Sequence, residues 1–565
     1  MSLLGTLSIA GSALAAQQAA LQVTSNNIAN ASDPNYSNEV VDLTPAFDTN
    51  ENGQYIGSGV DIADIQRQVD ESLNSRLASS VSDNNTATTI QNWAGQIQSV
   101  FGALNQQSLS TSMNTFFNDW STLANNPTDT GQRQVVIQDG ENLAQQFNSL
   151  DSQLNGIGTT LNSTVGSTVN QINQLTTQLA SLNQQIASSN TGEGQDNSLL
   201  DERDATIQQL STYVNVNSLI QPNGTVNVYI GSMPVVSAST ANALTVQNTE
   251  VDGSEQSTIM FANNSGSAPV TGGQLGGLLS VQSTLSTTLN SVNSIANNLI
   301  SSLNQLHASG QGTSNFTSVT GTTQVKDPTQ PLDNSAAGIP FTVSNGSFVV
   351  SVTDAATGQT SSTLIPVQLG SGATSPTTLN SLVASLNGIS GIQASDAGGF
   401  LSISSSSPDY TFSFSQDSSG VLSALGVNTF FSGSNAGNIA VNQTVANNPA
   451  FVAASGNGNP ADNTTALAIS QLADQPVAGL NNQSIDDSYN SLVSQIGTTV
   501  SNATNDATAT SNIQQALQAQ QQSVSGVSVD NEAINMIQQQ RVYQGASLLI
   551  STVNQMMQSL LTAMQ

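Results

Sequence analysis

The sequence predicts a mainly α-helical, elongated protein of several domains, with a β-rich insertion. Three observations lead to this fold class. Apolar residues recur at alternating spacings of three and four at both ends of the chain, and similar stripes fill much of its middle. A stretch rich in Gly, Ser, Thr and Asn, residues 316–458, lacks that helical period. With 565 residues, the chain is long enough for several domains.

Each end of the chain carries the apolar seam of a coiled coil. The outer faces of these helices are almost uncharged, since Glu532 and Arg541 are the only charged residues after Asp530. Such a helix is more stable among neighbours than in water, so we expect both helices to serve assembly. The alternative, an ordinary surface helix at each end, stays open. The predicted assembly interface consists of Leu7, Leu14, Leu21, Ile28, Val542, Ala546, Leu549, Val553, Met556 and Leu560.

Longer apolar stripes between the two ends predict a helical bundle with mutually buried faces. They run from Leu150 to Val165, from Ile172 to Ile186, from Val281 to Leu306, and from Tyr489 to Val500. The expected domains are a terminal coiled-coil region, a helical core with a small β element near 211–270, and an inserted β-rich outer domain. Their respective boundaries are 1–60 with 526–565, 61–315 with 459–525, and 316–458.

Alternating side chains predict strands in two places. The first is the segment from Gly224 to Ile230, which follows a Pro-Asn-Gly turn. The others lie in the insertion, at residues 341–343, 348–352 and 410–414. We therefore expect the insertion to be a β domain.

Charge excludes several classes of function. Only six residues are basic against 36 acidic ones, for a net charge of -30, so phosphate backbones and anionic membranes are poor partners. Cysteine is absent and His307 is the single histidine, which leaves few ligands for a metal. We expect His307 to be structural, and we expect no cofactor and no metal site. A carboxylate-based hydrolase stays formally open, although no local cluster of acids supports it.

The N-terminus has no positively charged start and its apolar run is interrupted, so we expect no cleaved secretory signal. No stretch of 18 apolar residues predicts a membrane span. Two further hypotheses concern charged residues. The scarce Arg67, Arg133 and Arg541 are expected to pair with acids at subunit contacts, and the acids near Asp201 to complement a helix dipole.

Several motifs resemble those of the flagellar axial proteins. Asn26-Asn27-Ile28-Ala29-Asn30 with Pro34-Asn35-Tyr36-Ser37 is similar to their shared N-terminal signature, although Asn35 stands where glycine is usual and Asn38-Glu39 replaces a basic position. The internal motifs resemble one family in particular, flagellar hook-associated protein 1, the hook–filament junction protein. They are residues 57–60 with Arg67 and Asp70, and residues 197–204, 273–279, 304–307, 462–468, 525–532 and 540–544.

The resemblance implies a structural, non-enzymatic role at the junction between hook and filament. It also implies type III export, an extracellular location and assembly through the terminal helices. The implied partners are further copies in a ring, the hook protein, the second hook–filament junction protein, an export chaperone and the flagellar export apparatus. No nucleic acid or membrane partner is expected. The alternatives are another axial protein (the second junction protein, flagellin or a hook subunit) or a surface adhesin.

Overall fold

The computed structural model describes residues 3–51, 54–103, 108–189, 196–251, 254–263, 266–370, 373 and 375–563. The fold is mainly helical, and four helices longer than 30 residues dominate its core. In chain order the helices are α1 (Leu3–Asn30), α2 (Glu71–Ala103), α3 (Leu109–Asn125), α4 (Thr130–Ser189), α5 (Asn197–Tyr213), α6 (Gly273–Ala308), α7 (Leu379–Asn387), α8 (Val421–Leu425), α9 (Gln443–Asn447), α10 (Thr464–Gln471), α11 (Ile485–Ser525) and α12 (Val529–Ala563).

The strands form small antiparallel sheets between these helices. They are β1 (Glu39–Pro45), β2 (Thr49–Glu51), β3 (Gln54–Ile56), β4 (Val60–Arg67), β5 (Asn217–Ile220), β6 (Val226–Ile230), β7 (Met233–Ser237), β8 (Thr240–Ala241), β9 (Leu244–Val251), β10 (Ser254–Phe261), β11 (Ser318–Thr320), β12 (Gly346–Asp354), β13 (Thr360–Val367), β14 (Ile392–Asp396), β15 (Leu401–Ser405), β16 (Tyr410–Ser415), β17 (Phe431–Ser432) and β18 (Ala440–Val441).

The helical core is built from α2, α4, α6 and α11. The two apolar stripes predicted from Leu150 to Ile186 lie on one continuous helix, α4, and nearly all of their members are buried. The stripe of α6 is buried in the same way, and α11 turns Tyr489, Leu492 and Ile496 inward. These predicted helices are confirmed, because burial of the stripes stabilises them against neighbouring helices.

Two β elements are attached to this core. The first is a four-stranded sheet, β5 to β8, next to the β9–β10 hairpin, and the predicted strand there is confirmed by the alternating burial of β6. The second element contains a β13–β12–β16 sheet and a β11–β15–β14 sheet, with α7 against β14. It confirms the predicted strands at 348–352 and 410–414.

The strand predicted at residues 341–343 is wrong. These residues form no ladder, and yet Phe341 and Val343 are both buried. The alternation therefore reflects two buried side chains on an irregular segment of backbone, and not a strand. A period of two over three residues does not distinguish these cases.

One apolar core runs from the helices into the second β element without a break. Phe430 and Phe431 of that element pack against Phe116 of α3, with ring centroids 5.6 Å and 5.7 Å apart. Trp120 lies 5.4 Å from Phe430 in an edge-on arrangement. The base of the insertion is therefore packed onto the helical core, which limits independent movement of the two parts.

The two ends of the chain meet, since α1 packs along α12. Beside α1, the antiparallel pair β1–β4 extends into the short hairpin β2–β3. We call residues 39–67 the acidic ribbon, because this segment carries six acidic residues and a single base, Arg67.

Candidate assembly interface

The helix α1 packs against α12 on one side and against the β1–β4 pair on another. Its buried residues are mostly small or polar, and they include Ala10, Ala16 and Ala20. The Nε2 of Gln539 on α12 donates a hydrogen bond to the Oγ1 of Thr24 on α1, with the atoms 3.1 Å apart. The terminal helix pair is thus formed within one chain.

On α12 the inward face follows a heptad pattern. Apart from Ser547, the buried and half-buried positions recur at alternating spacings of four and three, and they are Glu532, Met536, Gln539, Tyr543, Ala546, Ile550, Val553 and Met557. The predicted seam shares only Ala546 and Val553 with this set. It therefore lies largely on the adjacent flank of the same helix.

That flank is exposed in the single chain. The exposed fractions are 50% for Val542, 41% for Leu549, 53% for Met556 and 53% for Leu560. The first three of these residues are seven positions apart, which keeps them on one side of the helix. We call these four residues the apolar flank of α12. On α1, the predicted seam residues are half-buried: Leu7, Leu14, Leu21 and Ile28.

The N-terminal signature holds the turn that follows α1. The side chain of Asn27 is buried; its Nδ2 donates to the carbonyl of Glu39 at 2.9 Å, and its Oδ1 accepts from the Glu39 amide at 3.1 Å. The hydroxyl of Tyr36 also donates to this Oδ1, at 2.8 Å. Burial raises the pKa of Tyr36, and the charges of Glu39 and Asp201 raise it further, so the phenol stays a donor. The signature thereby fixes where β1 begins.

A buried ion cluster attaches this turn to the helical core. Asp201 of α5 accepts from both the amide and the hydroxyl of Ser37, at 3.0 Å and 2.7 Å. Arg67 donates to Asp201 at 2.6 Å and to Asp204 at 3.0 Å, with 5% of its side chain exposed. Burial alone would lower the pKa of Arg67, but the two carboxylates raise it on balance. Removing one partner of a buried pair typically costs about 3–5 kcal/mol.

Sequence reasoning missed this cluster. Arg67 pairs within its own chain, so it is not available for the subunit contact that was expected of it. The acids near Asp201 do more than complement a helix dipole, because Asp201 holds both Ser37 and Arg67. Arg67 and Asp201 are more than 130 positions apart in the sequence. The only signal for this pair was the presence of an arginine in a chain that has few basic residues.

A polar cavity of about 740 Å³ lies at the same joint. Its walls come from the turn after α1, the start of α2, α5, β5 and the α11–α12 connection. Asp201, Asp204, Glu71 and Glu532 give it an acidic lining. The cavity therefore lies where the terminal helix pair meets the core, beside the ion cluster.

The other expected arginine contacts have different outcomes. Arg133 is buried and donates to the backbone carbonyls of Pro127 and Val452, so it too is used inside the chain. Burial lowers its pKa to about 10. Arg541 is exposed and forms no ion pair within the part of the chain that the structure describes. It alone of the three arginines remains available to another subunit.

His307 is fully buried at the end of α6, with both ring nitrogens engaged. Its Nδ1 lies 2.8 Å from the carbonyl of Asn428, and its Nε2 accepts from the amide of Ala453 at 3.0 Å. These two contacts require a neutral ring protonated at Nδ1. His307 is thus a structural connection between α6 and the second β element.

Among the described residues, no group of three or more His, Cys, Asp or Glu side chains is arranged to hold a metal ion. The same residues contain no helix that is long and apolar enough to cross a membrane.

Three family models match successive parts of the chain. Residues 94–321 match the flagellar hook-associated protein FlgK helical domain. Residues 7–36 match the flagella basal body rod protein family, and residues 510–563 match the flagellar basal body rod FlgEFG protein C-terminal family. The matches therefore cover both terminal helices and much of the core.

Curated relatives match over almost their whole length. The chain is 28% identical to flagellar hook-associated protein 1 of Salmonella typhimurium, over 97% of this chain and 98% of the relative. It is 26% identical to that of Escherichia coli K12 over the same shares of the two chains. For the protein of the same name in Bacillus subtilis, the identity is 32% over 25% of this chain and 29% of the relative.

The fold has a counterpart among solved structures. The flagellar hook junction protein FlgK from Burkholderia pseudomallei superposes with a TM-score of 0.53 at 19% identity, over 80% of this chain and all of that one. This likeness concerns the fold. The near full-length relatives and the family models lead to one assignment: the chain belongs to the flagellar hook-associated protein 1 family.

Proposed function

We propose that this chain forms the junction between the hook and the filament of the bacterial flagellum, assembled through its terminal helices after export. Its family is one of structural proteins and not of enzymes. The observation that carries the assembly mechanism is the apolar flank of α12. It is exposed in the single chain and adjoins the face already packed against α1.

The apolar flank offers binding energy without charge. Fully burying a side chain such as Leu or Met contributes about 1.5–3 kcal/mol, so covering a half-exposed one contributes about 1 kcal/mol. Four such residues on each copy contribute favourable binding free energy once a ring forms, because every subunit then buries its apolar flank. The helix α1 contains no charged residue, which favours the same close packing.

The finer partners follow from the family and are part of the proposal. They are further copies of this chain in a ring, the hook protein on one side and the second hook–filament junction protein on the other. Before assembly, the chain would meet an export chaperone and the flagellar export apparatus. The domain boundaries expected from the sequence, with the insertion on the outside, complete this picture.

The terminal seam is tested by changing its exposed flank while keeping the helix. Leu549→Asn with Met556→Asn should abolish filament attachment in cells that carry only this variant, because two of the four apolar contacts become polar.

Leu549→Pro or Val553→Pro should also abolish filament attachment, because proline breaks α12, and the core should stay folded. Filaments are counted by electron microscopy, and folding is checked by circular dichroism of the purified chain.

The matched control is Leu364→Thr, which changes a similarly exposed leucine on β13, far from the terminal helices in sequence. It should leave filament number unchanged. Cells without the gene should show completed hooks, no filaments and flagellin in the medium. Normal filaments in that strain would contradict the junction assignment and favour the adhesin alternative. Missing hooks would instead indicate an earlier axial component.

A further inference from the structure

We propose that the acidic ribbon of one copy docks on α12 of a second copy, with its acids facing Arg541 and its apolar side chains on the apolar flank. This inference rests on the proposed function and assigns a partner surface to each side of the subunit contact. It is carried by three features of the described chain: exposed apolar residues on the ribbon, its charge, and the unpaired cation on α12.

The ribbon exposes several apolar side chains to solvent in the single chain. Phe47 is 96% exposed and Tyr55 is 75% exposed. Leu43 and Ile62 face each other across β1 and β4, and they are 37% and 43% exposed. A projecting strand pair with two aromatic rings in water is typical of a binding element, because aromatic residues are enriched at interfaces.

The charge of the ribbon restricts what can cover it. Asp42 and Asp64 lie directly opposite in the β1–β4 register, an arrangement that destabilises a strand pair in isolation. Asp61 lies on the same strand as Asp64, whereas the side chain of Arg67 is engaged in the ion cluster. A partner must therefore be apolar and, near these acids, positively charged. The charges on this chain are mostly negative, 36 acids against six bases, and they would repel the ribbon.

The helix α12 meets both conditions. From residue 533 to the end of the sequence, Arg541 is the only charged residue. It is exposed, it forms no ion pair among the described residues, and it directly precedes Val542 of the apolar flank. Few exposed cations are present at all, so the pairing of this one with the ribbon is selective as well as attractive.

The contact must be between copies because the ribbon is held on its own α1. The amide of Val60 donates to the Oγ of Ser12 at 3.3 Å. Gly59 has a φ of 107°, and a Cβ there would come within 2.3 Å of the same Ser12 oxygen, so only glycine permits this close approach. The ribbon and the apolar flank are therefore two different surfaces of one subunit. A contact between two different surfaces propagates from copy to copy, and it gives a ring where the rotation between successive copies closes.

A charge swap tests the docking. In cells whose only copy is Arg541→Glu, we expect about ten-fold fewer filaments, since an acid would then face the ribbon acids. Adding Asp42→Arg and Asp64→Arg to the same chain should restore filaments toward the wild-type number. Phe47→Ser alone should reduce them, and Phe47→Ser should not change the thermal midpoint of the purified chain, because this side chain is in water.

The outcomes separate this inference from the proposed function. Normal filaments with Arg541→Glu, or no rescue by the two ribbon changes, would overturn the docking. The junction assignment would still stand on the strain that lacks the gene. A second readout uses the absence of cysteine from the natural chain: copies with Tyr55→Cys and copies with Leu549→Cys should form a mixed disulfide under mild oxidation. Copies with Leu364→Cys should not cross-link to Leu549→Cys, and failure of the first pair to exceed this control would also count against the docking.

Discussion

Single residues decide how the chain responds to acid. His307 is buried against Trp120, with ring centroids 6.2 Å apart, and both of its nitrogens bond to backbone groups. Its pKa is lowered to about 4, mainly by burial and in smaller part by the nearby charge of Arg133, while the carbonyl of Asn428 acts in the opposite direction. A protonated ring could not accept from Ala453, so the folded chain resists protonation here.

We therefore predict that His307 destabilises the protein as pH falls. The unfolded chain binds this proton near pH 6.5 and the folded chain only near pH 4, so stability is complete above pH 6.5 and declines toward pH 4. The loss is about 3 kcal/mol at the lower limit. Denaturant titrations followed by tryptophan fluorescence at pH 7 and pH 4 measure it. His307→Gln should lose about 3 kcal/mol less than wild type, and equal losses would refute the assignment.

Asp119 acts in the opposite direction, which is why the comparison with a variant is needed. Its pKa is raised to about 6, mainly by burial and in smaller part by the adjacent Asp139. The folded chain therefore binds this proton before the unfolded chain does, and acid stabilises the protein through Asp119 as pH falls below about 6. The total pH dependence is the sum of such terms, whereas the difference between wild type and His307→Gln isolates one of them.

At the scale of elements, the sequence predicted α12 but not which side of it faces α1. Apolar residues occupy two adjacent flanks, and two heptad readings share Ala546 and Val553. The choice between them is made by packing against α1, whose Thr24 lies 515 residues away in sequence from its partner Gln539. Periodicity therefore located the helix, while the partner surface of a distant segment fixed its rotation.

The same limit explains the other missed features. The ion cluster joins Arg67 to α5, and no local pattern encodes that pairing. The exposed Phe47 lies between β1 and β2, and the exposed Tyr55 lies in β3. Both β2 and β3 are only three residues long, too short to show a clear alternation. In contrast, the long stripes of α4 and α6 were readable because each repeats over many turns.

Close packing of α1 on α12 gives an element-scale prediction. Ala10 is 1% exposed and lies two heptads before Thr24, which bonds Gln539 of α12, so Ala10→Leu should force the two helices apart, at a cost of about 1–3 kcal/mol. The terminal helices should then be digested faster by protease, while the core fragment persists. Ala15→Leu is the matched control, because Ala15 is exposed on the same helix. Equal digestion of both variants would show that α1 and α12 are not packed as described.

At the scale of the whole molecule, folding makes an acidic chain more acidic at its surface. Three of the six bases, Arg67, Arg133 and Arg203, have buried side chains. The acids are mostly exposed. Copies of the chain therefore repel one another at long range, although the apolar flank and Arg541 attract at contact.

Association of the purified chain should accordingly strengthen with salt. The screening length falls from about 30 Å at 0.01 M to about 8 Å at 0.15 M, which removes most of the long-range repulsion. Light scattering should give a strongly positive second virial coefficient at low salt and a clearly smaller one at 0.15 M. A coefficient that rises with salt would mean that attraction between opposite charges dominates.

The helix α4 has a mechanical consequence. Its 60 residues extend about 90 Å, and it contacts α3, α5, α6 and strands of both β elements. A force that displaces one of these elements relative to another is therefore opposed by packed side chains along much of the length of α4. The helix distributes such a load over many contacts instead of concentrating it at one loop.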